Sequence, residues 1–104
     1  MKFEGKVNIC GIPHRVVECK DMFDGDCHFG QIEFKTAEIR INAELTPEVK
    51  YETLCHEIVH GVLVHTGYTD LTGDEKFVQA MGNAISQTFS LKLEPCENEE
   101  AEVE

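Results

Sequence analysis

Apolar side chains in the first part of the chain return at every second position, the period of a strand with one buried face. Val7 and Ile9 make one such run. Ile12, His14 and Val16 make the next, before Cys19, with Gly11 and Pro13 admitting a turn or an edge strand. Residues 20–30 have the Asp and Gly content of a loop. Ile32 and Phe34, then Ile39 and Ile41, alternate again on either side of residues 35–37 and predict a hairpin. The expectation is a sheet of three or four mostly antiparallel strands.

The period then lengthens. Thr46-Pro47-Glu48 is a helix start, with a side-chain acceptor, a proline at the first helical position and an acid near the positive dipole end. A helix is predicted from about Pro47 to His65. Tyr51, Leu54, Cys55, Ile58 and Val62 form its apolar stripe, with His56 and His60 roughly opposite. Gly67 ends it, and residues 68–73 are a polar link. Phe77, Val78, Met81, Ile85 and Phe89 then repeat at helical spacing, predicting a second helix that stops near Leu93, before Pro95. The fold class is thus α+β, a small sheet packed on two helices over residues 1–93, with residues 94–104 an acidic disordered tail.

Charge narrows the possible partners. The net charge is −11, and Glu94, Glu97, Glu99, Glu100, Glu102 and Glu104 crowd the end without a Lys or Arg among them. Without those six the body carries about −5. So acidic a surface does not suit nucleic acid, whose phosphates are held through Lys and Arg. No apolar run approaches a membrane span, and Glu4 and Asn8 stand where a signal peptide would be apolar. Cys10, Cys19, Cys27, Cys55 and Cys96 are odd in number and lack CxxC spacing, which fits reduced thiols in a cytoplasm.

The chemistry concentrates on the first helix. Histidines four residues apart stand one turn apart, so His56 and His60 can reach one tetrahedral zinc ion at about 2.0 to 2.1 Å. Glu57, about 100° round the helix, can flank the open position and accept a proton from bound water, whose pKa the metal lowers towards ~7. Five histidines in the chain make a chance HExxH less improbable. The capped helix and the apolar flanks Leu54, Ile58, Val59, Val62 and Leu63 favour the metal reading.

With this motif in this order of elements, the chain resembles the zincin metallopeptidases, and among them small phage and prophage zincin-like proteins, from Val7 to about Leu93. The segments ETLCHEIVH, ending at His60, and DEKFV, ending at Val78, are similar more distantly to the ImmA/IrrE-type peptidases. The resemblance implies a minimal zincin-like fold, a zinc cofactor and hydrolysis of a peptide or protein substrate. In the glutamate-ligand branch the third ligand comes from the helix after the HExxH helix, which points to Glu75. Gln79, Gly82 and Ser86 share its stripe, and Gly82 would permit close helix approach. Thr72-Gly73-Asp74-Glu75 also reads as a capping box, in which Glu75 returns a hydrogen bond to Thr72. His65 becomes a rival ligand only if the helix breaks near Gly61. Leu63 and Thr66 stand where a metzincin has glycine and histidine, which excludes that branch.

Lesser features have plainer readings. Asp70 or Asp74 could orient a ligand imidazole, and His65 or Tyr68 could supply an oxyanion donor. Asp24-Gly25-Asp26 is a turn rather than a calcium loop, Cys27-His28 an incidental pair, and Cys55 a small core residue. An extended substrate is expected to pair with an edge strand at Glu38–Asn42. Beside the peptidase stand two other readings: a non-catalytic zinc-bound phage or regulatory protein, and an acidic interaction module that needs no metal.

Overall fold

The computed structural model describes residues 3–20 and 29–96. β1 (Gly5–Ile9) and β2 (Ile12–Cys19) form an antiparallel hairpin through Cys10 and Gly11, both at positive φ (53° and 85°). A two-residue turn with both residues at positive φ matches the right-handed twist of its strands. β3 (Gly30–Glu33) and β4 (Glu38–Asn42) form the second antiparallel pair. β4 also lies parallel to β2, with Val16 opposite Ile39, giving the order β1-β2-β4-β3. The sheet is therefore mixed but mostly antiparallel, and the fold is α+β. Glu38–Asn42, expected at an edge, is interior, and β3 is the edge beside it. Period-two patterning assigns faces to strands but does not order them across the sheet.

The alternation buries Ile9, Val16, Ile39 and Ile41 against Leu54 of α1 (Pro47–His65), with Phe3 completing this core. α1 starts as predicted, where Thr46 Oγ1 accepts from the Val49 amide at 3.3 Å. Its single expected stripe does not hold. Val62 is 40% exposed, whereas Val59 and Leu63 are buried in a second cluster with Val78, Phe77 and Ile85. The reason is that α1 lies between two partners, the sheet and α3 (Glu75–Thr88), and buries residues on both sides. Cys55 is fully buried, as expected of a small core residue, and burial pushes its thiol up to about 11.

The polar link contains a short helix, α2 (Thr69–Thr72). α3 ends at Thr88 rather than near Leu93, because Phe89 is extended (φ −119°, ψ 154°). Tyr51 Oη donates to the Phe89 carbonyl at 2.5 Å and accepts from the Leu91 amide at 2.9 Å, turning the chain back towards the sheet. Glu94, expected as the first residue of a tail, instead exchanges two backbone hydrogen bonds with Lys6, of 2.8 and 3.0 Å, on the outer edge of β1. The rest of the expected tail, residues 97–104, lies outside the described residues, as do Asp24-Gly25-Asp26 and Cys27-His28. No described helix is long and apolar enough to cross a membrane.

One glycine sets the spacing of the helices at the centre of the molecule. A Cβ on Gly82 would lie 3.0 Å from Cα and 3.1 Å from N of His56. Gly82→Ala should therefore lower stability by about 1–3 kcal/mol in a urea titration, although alanine is the better helix former. A more stable variant would show that α3 does not press on α1 here.

Candidate metal centre and groove

His56 and His60 leave successive turns of α1 with ring centroids 5.0 Å apart. Glu75, the first residue of α3, comes to meet them. Its Oε1 lies 3.1 Å from His56 Nε2 and its Oε2 3.2 Å from His60 Nε2. Ligand atoms of all three residues fall within 4.8 Å of one another, so this cluster can hold a metal ion.

Each imidazole is held by its other nitrogen. His56 Nδ1 is 2.8 Å from Gln79 Oε1, and the Gln79 amide nitrogen donates to Asn83 Oδ1 at 2.9 Å, which keeps the Gln79 oxygen turned towards the ring. His56 Nδ1 therefore donates, and in the neutral ring the lone pair sits on Nε2, facing a carboxylate oxygen. His60 Nδ1 is held 2.7 Å from Thr72 Oγ1, leaving its Nε2 towards Glu75 as well. Three electron-rich groups around one small space are what a cation satisfies. The spacing also fits, because ligands at about 2.0 to 2.1 Å from a tetrahedral ion are roughly 3.3 Å apart.

Among the sequence-derived candidates, His56, His60 and Glu75 come together, and Asp70, Asp74, His65 and Tyr68 do not join them. Asp74 Oδ1 accepts from the Phe77 amide at 3.1 Å, so Asp74 caps α3 and the expected capping box from Thr72 does not form. His65 packs its ring against His14 and Phe34, at centroid distances of 5.4 and 5.8 Å, away from the cluster, since α1 continues unbroken through Gly61. Neither His65 nor Tyr68 lines the groove described below. Sequence reading missed Thr72 and Gln79 as the imidazole anchors. The signal for Gln79 was its place one turn after Glu75 on the same face. Thr72→Val or Gln79→Leu should weaken metal affinity about 10–100-fold by competition with a chelating dye, and an unchanged affinity would remove the anchors from the site.

Glu57 sits between α1 and β3, lines the same groove as the cluster, and is only 7% exposed. Its Cγ would lie 3.6 Å from a Cβ on Gly30, so the bare glycine of β3 makes room for it. Burial pushes its carboxyl up to about 7, with the His56 charge opposing the shift and Glu75 adding to it. Burial also lowers the pKa of His60, against the pull of Glu75. In the metal-free chain a carboxyl raised from 4.5 to about 7 favours folding fully below 4.5 and loses that contribution as pH rises through 7. Metal-free Glu57→Gln should accordingly melt higher than metal-free wild type at pH 8, with the gap closing towards pH 5. A gap independent of pH would mean that Glu57 titrates normally.

Beside the cluster runs an open groove of about 770 Å³, walled by β3 on one side and by α1 and the start of α3 on the other. The Asn42 amide donates to the Phe29 carbonyl at 2.8 Å, and Gln31 and Glu33 stand in the same phase of the ladder. Gly30 and Ile32, in the opposite phase, turn their N–H and C=O groups away from β4 to the free edge. Among the described residues no strand covers that edge.

No protein-family model matches the chain, and no curated protein or solved structure is significantly similar to it.

Proposed function

We propose that this protein is a zinc-dependent metallopeptidase. The observation that carries the reading is the convergence of His56, His60 and Glu75 next to a buried carboxyl, Glu57, in a groove bordered by an unpaired strand edge. Two imidazoles and a carboxylate suit zinc among the common biological cations. Bound there, zinc would supply a Lewis acid that polarises the scissile carbonyl and acidifies water. Gln79 keeps the His56 lone pair on Nε2, and Thr72 holds the His60 ring with Nε2 towards Glu75, where an ion would be bound. The free N–H and C=O groups of Gly30 and Ile32 hold the substrate backbone extended along β3. Glu57 removes the proton of the attacking water and passes it to the departing amine. A buried carboxyl beside the cluster is suited to both transfers.

A second reading rests on the same cluster, which ties α1 to α3 across their tightest contact at Gly82. On that reading zinc is a structural clamp and no bond is cleaved. Elemental analysis of the purified chain and mass-spectrometric analysis of a peptide mixture incubated with it separate the two. Stoichiometric zinc with chelator-sensitive cleavage supports the peptidase. Zinc without cleavage supports the clamp, and a chain that takes up no zinc overturns both.

A further inference from the structure

The two ends of the groove differ in chemistry, and β3 and α1 run alongside each other in the same direction. A Cβ on Gly30 would lie 2.5 Å from Thr53 Cγ2, and a Cβ on Gly61 would lie 3.4 Å from Ile32 Cδ1. Further on, Phe34 meets His65 at 5.8 Å. Positions along the strand therefore map in order onto positions along the helix. The end near the C-terminus of α1 is apolar, formed by Ile32, Phe34 and Val64, with Phe34 39% exposed. The end near the N-terminus of α1 carries Glu52, exposed on the turn before His56. The groove lining holds Glu52, Glu57 and Glu75 and no Lys or Arg. Glu75 faces the two imidazoles and Glu57 is buried, so among the described residues Glu52 is the anionic group at this end of the groove that a substrate side chain meets in water.

We infer that the substrate is a peptide segment with an aromatic or large aliphatic residue before the cleaved bond and a Lys or Arg after it, each within about three residues of that bond. The polarity follows from the edge. An antiparallel strand is the more stable partner for β3, so the substrate enters with its amino-terminal side at Phe34 and leaves with its carboxy-terminal side at Glu52. The apolar end buries a side chain, and its removal is felt strongly. The exposed carboxylate contributes less and acts in a salt-dependent way. This inference rests on the peptidase reading for the words "cleaved bond", but the two fail separately.

The experiment uses the zinc-loaded full chain and four fluorescent peptides: apolar-then-basic, the reversed order, and versions with alanine in place of the apolar or the basic residue. Cleavage is followed with wild type, and binding by anisotropy with Glu57→Gln. The apolar-then-basic peptide should be preferred in both assays. Phe34→Ala should reduce its kcat/KM about 10-fold or more and leave the peptide lacking the apolar residue unchanged. Glu52→Lys should turn the preference for a basic residue into one for an acidic residue, with zinc content unchanged in both variants. Preference for the reversed order, or equal treatment of all four peptides, overturns the inference. Ordered binding without any cleavage supports the groove assignment and sinks the peptidase.

Discussion

Glu57→Gln should reduce peptide cleavage by about 10²–10⁴-fold while zinc stays bound at wild-type stoichiometry. The substitution removes only the proton-accepting oxygen and keeps the volume of a side chain that is 7% exposed between α1 and β3. It leaves His56, His60 and Glu75 in place, because Glu57 is not one of the three residues of the cluster. KM should move little if, as proposed, the substrate backbone is held by β3. A clamp without catalysis predicts the opposite pattern, with whatever turnover is measured unaffected by the change. Turnover within a fewfold of wild type would therefore remove Glu57 from the chemistry, whatever the zinc content.

The second large effect is on stability. A zinc ion held by His56, His60 and Glu75 would join the body of α1 to the first turn of α3, and would therefore bind the folded chain and not the unfolded one. Free zinc at about a thousand times its dissociation constant adds about 4 kcal/mol, and for a chain of this size that raises the melting temperature by roughly 15–30 °C. His60→Ala should lose most of this gain and show nearly the same melting temperature with zinc and with chelator. Calorimetry of both proteins decides the matter. A wild-type transition that ignores zinc would mean that the cluster is an ordinary polar contact between helices.

What the sequence made legible was local. Thr46, Pro47 and the run to His65 define α1 at both ends, because capping and helical period are properties of neighbouring residues. His56 and His60 are set by that helix, whereas Glu75 comes from the resemblance to the glutamate-ligand branch, with a capping box as its alternative. The misreadings are non-local. The parallel pairing of β2 with β4 joins strands separated by residues 20–37, and alternation carries no record of which strands meet. A single buried stripe on α1 would include Val62, but α1 has two buried faces and Val62 is exposed. Phe89 fits the helical repeat of α3, yet Phe89, Leu91 and Leu93 also alternate in period two, and the Tyr51 hydroxyl favours the extended course by bonding to the backbone at Phe89 and Leu91. Thr72 and Gln79 bear no letter of the metal motif. Their role appears only when the second nitrogen of each imidazole must find a partner.

The two edges of the sheet are treated unequally. At β1 the returning chain takes up the outward N–H and C=O of Lys6 through Glu94, while among the described residues no strand lies along β3 beside the groove. An open edge is also a template for self-association, and a sheet with one such edge can at most pair into closed dimers. Removing the residues after Thr88 would expose β1 as well, and a sheet with two sticky edges can add copies at both ends without limit. The strap at Glu94 thus keeps the backbone of Lys6 from pairing with a second copy.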